Sequence, residues 1–300
     1  MQITSLARLN RLARFSVVSM STISRRIEVT DAPVIVSMQQ MLRGKEGVLS
    51  LAQGIVHWSP PDEAMQAARA AVDEPNTSLY GADDGLPELR AALKLKLAEQ
   101  NGIVASEVMV TAGANQAYTN VVLALLDAGD PAMLFRPYYF NHLMALQMTG
   151  SHGDLVLAPT TPSLQPDLSA IRAEMQARKA DGRPQLKMVT MSNPGNPTGV
   201  MIPKATLEEA SALCAEYGAW LVLDNCYEHF AYPDQAREHL DLAPVCALLD
   251  HNTVCAHHIW LVWRPPDLTR CQAPLALPLP FASPLPFALT LLHDDLHTSA

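Results

Sequence analysis

"LKMVTMSNPGNPTGVMI", residues 186–202, is the stretch on which the reading of this chain turns. Its first half, ending at Ser192, reads as a buried strand. Two Asn-Pro pairs follow, Asn193-Pro194 and Asn196-Pro197, with Gly195 and Gly199 among them. Only from Pro203 does a helical pattern start. Proline fixes its own φ and restricts the residue before it. Asn193 and Asn196 are therefore held in stiff, non-helical backbone, each able to aim an amide at a ligand. The glycines permit tight turns and close approach. Stiffness alone fits an ordinary strand-to-helix loop equally well.

Working outward, strand-like and helix-like runs alternate. "EVMVTAG" from Glu107, "PAMLFRP", "GDLVLAP", "LKMVTMS" and "WLVLD" read as strands. Between them "NQAYTNVVLALLDAGD", "YYFNHLMALQMTG", "PDLSAIRAEMQARKADG" and "PKATLEEASALCAEYG" read as helices. Strands separated by amphipathic helices predict an α/β fold: a mainly parallel sheet with helices on both faces. Ligands of such sheets sit at the C-terminal ends of the strands, where the Asn-Pro stretch lies.

On these residues the chain resembles the fold-type-I, pyridoxal-phosphate-dependent aminotransferases of class I/II. "NPGNPTG" is similar to their signature loop, and further segments follow in the family's order. "LAQG" near Gly54 resembles the substrate-side segment, and "YGADDGLPELRAAL" the segment that carries a tyrosine to the neighbouring subunit. "VTAGANQAY" resembles the phosphate cup, "RPYYFNH" the loop with the ring-stacking aromatic, and "LVLDNCY" the strand that holds the cofactor ring. The resemblance runs from about Val34 to Tyr232 and implies the large domain of that fold, incomplete here. It implies pyridoxal 5'-phosphate as cofactor, an amino acid and a 2-oxo acid as substrates, and a homodimer.

The same resemblance assigns roles. Asp224 pairs with the pyridine nitrogen. Tyr227 and Asn196 hold the ring oxygen. Tyr139, rather than its neighbour Tyr138, stacks on the ring. Gly113, Ala114 and Asn115 open a helix whose N–H groups meet the phosphate. Tyr80 reaches the phosphate of the neighbouring subunit, and Gly54 lies on the substrate side. Two departures stand in the stacking loop: Arg136 where the family has an acid, and Phe140 where proline is common.

The family also requires a lysine beyond the Asp, in a Ser-x-Ser-Lys-type segment, to form the Schiff base and move the proton. Here the last lysine is Lys204 and the last glycine Gly218; the corresponding region reads "HNTVCAHHIWLVWRPP". His257 and His258 can carry protons but cannot form that bond. After about Val254 the chain reads as foreign to the family, a Pro- and Leu-rich tail in which frequent proline stops helix and central strand. A sheet that ended after "WLVLDNCY" would leave apolar edges exposed. The expected organisation is residues 1–26 a transit peptide or arm, 27–75 an N-terminal segment of the small domain, 76–254 an incomplete cofactor-binding domain, and 255–300 an aberrant tail. Two function classes follow: a transaminase whose chain is inert without the lysine, or a non-catalytic cofactor-binding or heterodimerising subunit.

Composition narrows the field. A net charge of −9 argues against a broad nucleic-acid surface. Five cysteines at unpatterned spacings argue against a secreted disulfide scaffold. No apolar run is long enough to cross a bilayer. A nicotinamide-binding dehydrogenase lacks its G-x-G-x-x-G after a strand. A zinc site from Cys255, His257, His258 and Cys271 has irregular spacing. Residues 1–26 contain no acid, carry five arginines and are rich in Ser and Thr, the composition of a mitochondrial or plastid transit peptide; without that role the protein would be cytoplasmic.

Overall fold

Ala132 and Leu134 face one way along a strand, Met133 and Phe135 the other, and all four are buried. A strand buried on both faces needs layers above and below it. The computed structural model describes residues 23–51, 54, 58–103 and 107–231, with the backbone of 253–256 and 260–263. The strands are β1 (Glu107–Val110), β2 (Pro131–Phe135), β3 (Asp154–Ala158), β4 (Met188–Ser192), β5 (Trp220–Asp224), β6 (Thr253–Ala256) and β7 (Trp260–Trp263). They form one sheet in the order β1-β7-β6-β5-β4-β2-β3. The five from β6 to β3 are parallel, and β7 is antiparallel to both its neighbours.

The helices are α1 (Arg25–Glu28), α2 (Val34–Leu42), α3 (Asp62–Asp73), α4 (Pro87–Asn101), α5 (Ala114–Leu125), α6 (Phe140–Thr149), α7 (Leu168–Ala180) and α8 (Lys204–Tyr217). On one face of the sheet Met133, Val189, Met191, Leu221 and Leu223 pack against Leu97 of α4, Ile171 and Met175 of α7, and Leu207 and Leu213 of α8. On the other, Ala132, Leu134, Met188 and Val222 meet Tyr118, Val121 and Val122 of α5, and Ala145 and Leu146 of α6. Each Leu, Ile, Val or Met side chain among them contributes about 1.5–3 kcal/mol on full burial, so alternation along β2 and β4 fixes which helix lies on which face. The expected α/β architecture is present.

Two strands go beyond the five expected. β6 and β7 lie in the segment around residue 254 where the family likeness was expected to end. They pair with β5 and β1, so β5 is an interior strand and the exposed edge expected there is closed by backbone pairing. Each is four residues long, and only residues 257–259 separate them. That is too short for the strand–helix alternation that revealed the others.

Towards the N-terminus, α1, α2 and α3 bury none of their residues. One reciprocal contact ties this part to the sheet layers. The Asp31 N–H donates to Gln147 Oε1, and Gln147 Nε2 donates to Asp31 Oδ2, both at 3.0 Å. The expectations for residues 1–22 and for the tail from 264 lie outside the described residues. Among the described residues no helix is long and apolar enough to cross a membrane.

Candidate cofactor site

The site is built where β2, β4 and β5 end and α5 and α6 begin. Asp224 is the last residue of β5 and is 5% exposed. Register brings Ser192, the end of β4, beside it, and the Asn193 N–H donates to the Asp224 carbonyl at 2.8 Å. Two groups hold the Asp224 carboxylate. His142 Nε2 lies 2.9 Å from Oδ2, and the Cys226 N–H donates to Oδ1 at 3.1 Å. Burial pushes this carboxyl's pKa up. The hydrogen bond and charge of His142, with the contacts from Cys226, outweigh burial and hold it below the ordinary carboxylate value. Asp224 is thus a buried anion with lone-pair capacity beyond the contacts from His142 and Cys226.

His142 was not among the residues singled out from sequence, although "RPYYFNH" contains it. It lies one turn into α6 from Tyr139, so both project from the same end of that helix. The Tyr139 and His142 rings meet edge to face at 5.4 Å, and Tyr118 packs against His142 at 4.3 Å. The Tyr118 hydroxyl in turn pairs with Thr190 at 3.0 Å, in a buried position that raises its pKa. The sequence shows only that a histidine stands three positions after a candidate stacking aromatic, one helical turn away.

Tyr139 caps α6 and is half-buried, whereas Tyr138 packs against the core cluster beneath α5. Asn141 Nδ2 donates to the Tyr139 hydroxyl at 2.8 Å. Burial raises the pKa of Tyr139 against the opposing hydrogen bonds of Asn141 and Asn115, so its hydroxyl stays protonated at neutral pH. The contact with Asn115 links the stacking loop to the start of α5. Gly113 precedes that helix with φ of 140°, a conformation that favours glycine. Thr111 Oγ1 donates to the Gly113 carbonyl at 3.0 Å, and the first N–H groups of α5 have no acceptor within the helix.

The two asparagines of the opening stretch differ. Asn193 is buried, and its Oδ1 accepts from the Ile202 N–H at 2.8 Å, clamping the loop to its own exit. It is not available to a ligand, contrary to the sequence expectation, because the loop spends that amide on closing itself. A Cβ at Gly195 would collide with Thr198 Oγ1, so a larger residue there would displace the Thr198 side chain. Asn196 is partly exposed, and its Nδ2 reaches the Tyr227 hydroxyl at 3.4 Å. Tyr227 is 37% exposed, which rules out a core tyrosine. Burial of the remainder, and the neighbouring Tyr139, Cys226 and Asp224, raise its pKa and keep it a donor.

Asp224, His142, Tyr139, Asn115, Gly113, Asn196 and Tyr227 thus gather at one end of the sheet. Tyr80 and Gly54 do not join them. Tyr80 is fully exposed, and Gly54 is exposed with open space around it. Among the described residues no cluster of His, Cys, Asp and Glu is placed to hold a metal ion. The zinc alternative rests on side chains outside those described.

The profile described as aminotransferase class I and II matches residues 46–256. The chain is 44% identical over 214 residues to aromatic aminotransferase ISS1 of Arabidopsis thaliana, covering 71% of this chain and 53% of that protein. It is 32% identical over 221 residues to aspartate/prephenate aminotransferase of Thermus thermophilus, covering 71% and 55%. Among solved structures, Thermus thermophilus aspartate aminotransferase with maleate superposes with a TM-score of 0.69 at 28% identity, covering 82% of this chain and 65% of that one. The chain spans about half the length of these curated relatives.

Proposed function

This chain belongs to the class I and II aminotransferases, and from that premise we propose that its gathered residues are the cofactor-holding half of a site that passes an amino group between an amino acid and a 2-oxo acid. The family depends on pyridoxal 5'-phosphate. The donor set fits that group: a buried anion with unused acceptor capacity, a half-buried aromatic beside it, a tyrosine–asparagine pair, and an open helix N-terminus. When bound, the cofactor supplies an electron sink for the pair released at the substrate α-carbon.

The chain's own residues do the rest. Asp224, ionised by virtue of His142, holds the proton on the ring nitrogen. Tyr139 would stack on the ring face. Tyr227 and Asn196 donate to the ring oxygen. The N–H groups of α5 from Gly113 to Asn115 take the phosphate dianion, which the helix dipole favours. Tyr80 serves the neighbouring subunit of a homodimer, and Gly54 the substrate side. The observation that carries this reading is the buried Asp224 carboxylate, kept charged by His142 where β4 and β5 end.

A second reading, a non-catalytic cofactor-binding or heterodimerising subunit, is favoured by one feature. β6 and β7 are joined by residues 257–259, and no lysine follows Lys204. General acid–base help is typically worth about 10²–10⁴-fold, and this chain lacks the residue that gives it in the family. A coupled assay with excess cofactor distinguishes the two. Because one relative is named for aromatic amino acids, aromatic donors head the panel, followed by acidic and sulfur-containing ones. The 300-residue chain is expected to give no turnover above free cofactor. Turnover that disappears in Asp224→Ala would sink the inert reading, and His257 and His258 would be the first proton carriers to test.

A further inference from the structure

Behind Tyr227 lies a second polar cluster to which neither the cofactor contacts nor the core assigns a role. β5 ends at Asp224 and runs into a single 3-10 turn, Glu228–Phe230, capped by Tyr227. The first residue of that turn, Glu228, is 8% exposed, and its carboxylate is held from α4 at both oxygens. Lys96 Nζ pairs with Oε1, and Asn101 Nδ2 donates to Oε2 at 2.8 Å. Lys96 Nζ also donates to Asn101 Oδ1 at 2.7 Å, closing a three-membered network. His229 Nε2 stands 3.4 Å from Oε1 on the exposed side.

We propose that Lys96, Asn101 and Glu228 are positioning residues for the cofactor site, setting the aim of Tyr227 by anchoring the turn that carries it to α4. The proposal rests on the cofactor reading above. Tyr227 stands between two anchors. In front, the Cys226 N–H is tied to the Asp224 carboxylate. Behind, the Glu228 side chain is tied to α4, while the Glu228 N–H reaches the Asn225 carbonyl at 3.1 Å and the Phe230 N–H the Tyr227 carbonyl at 2.8 Å. A turn of three residues cannot rotate its cap without moving the side chain that opens it. Anchoring Glu228 therefore fixes the backbone from which the Tyr227 side chain projects, with its hydroxyl 3.4 Å from Asn196. Energetics point the same way. A buried ion pair is a poor source of stability, since apolar residues of similar volume often do as well. What the network supplies that apolar packing does not is direction.

The test uses the full chain with three variants: Lys96→Met, Glu228→Gln, and the double Lys96→Met/Glu228→Leu, which removes the pair without stranding a buried charge. The readouts are amide hydrogen exchange of the ligand-free chain, thermal stability, affinity for pyridoxal phosphate, and the pH midpoint of the bound cofactor's absorption. Lys96→Met is expected to speed exchange at residues 226–230 but not in β4. It should weaken pyridoxal phosphate about five- to tenfold, the scale of one lost hydrogen bond. It should also move the absorption midpoint upward, because a misaimed Tyr227 no longer favours the ionised ring oxygen. Glu228→Gln should follow it. The double variant should recover thermal stability without recovering affinity. Loss of thermal stability with affinity and midpoint unchanged, or recovery of affinity in the double variant, would overturn the proposal and leave a purely structural pair. If the unaltered chain does not bind the cofactor at all, the cofactor reading falls. The exchange data then decide the anchoring alone: faster exchange at 226–230 supports it, and unchanged exchange overturns it.

Discussion

At Asp224 desolvation and hydrogen bonding pull in opposite directions, and hydrogen bonding wins. A carboxyl whose native pKa is depressed contributes stability above its unfolded value. That contribution is lost as pH falls through the native value. In His142→Leu burial is no longer offset, so the native value rises and the acid limb of the stability profile moves to higher pH. Urea midpoints measured across the acid range for both proteins check this; superposable profiles would mean that His142 does not set the charge. Ligand binding separates the site's polar groups further. A charge-assisted bond to the ring nitrogen is worth about 1.5–3 kcal/mol, against about 1 kcal/mol for a neutral bond to the ring oxygen. Asp224→Ala should therefore weaken pyridoxal phosphate more than Asn196→Ala, and equal losses in equilibrium titration would remove the ordering.

At the scale of elements, what was legible was what repeats. β2 to β5 alternate with helices α5 to α8, and each strand–helix pair has an apolar run, a turn residue and an amphipathic stretch. β6 and β7 escaped because they are short, adjacent and without a helix between them. In the site, residues with a stereotyped setting were legible: Asp224 at a strand end, Gly113 before a helix. His142 was not, because its importance lies in a contact with Asp224 across 82 positions, which only the folded sheet reveals. Asn193 and Asn196 look equivalent in sequence and differ only once the loop has closed on itself. The α5 N-terminus makes its own prediction. Gly113→Ala puts a Cβ where φ is 140°, at a cost of about 1–3 kcal/mol in strain or local rearrangement. If that end holds the phosphate, the variant should lose affinity for pyridoxal phosphate while binding pyridoxal, which has no phosphate, as the unaltered chain does. Parallel losses for both ligands would place the phosphate elsewhere.

For the whole molecule, the described residues form a seven-stranded sheet with two helical layers, and Asp224, Tyr139, Tyr227, Asn196 and the start of α5 gather at one end. The chain nevertheless covers only about half the length of its curated relatives and has no lysine beyond Lys204. The reading proposed above is that Asp224, Tyr139, Tyr227, Asn196 and α5 hold the cofactor in this chain without covalent attachment. One measurement bears on it most directly. The chain is titrated with pyridoxal phosphate, reduced with borohydride at saturation and mapped by peptide mass spectrometry. The account predicts saturable binding that Asp224→Ala abolishes or weakens more than tenfold, about 1.4 kcal/mol or more, and no pyridoxyl adduct at any one lysine. A stoichiometric adduct on a single lysine, or binding indifferent to Asp224, would contradict it.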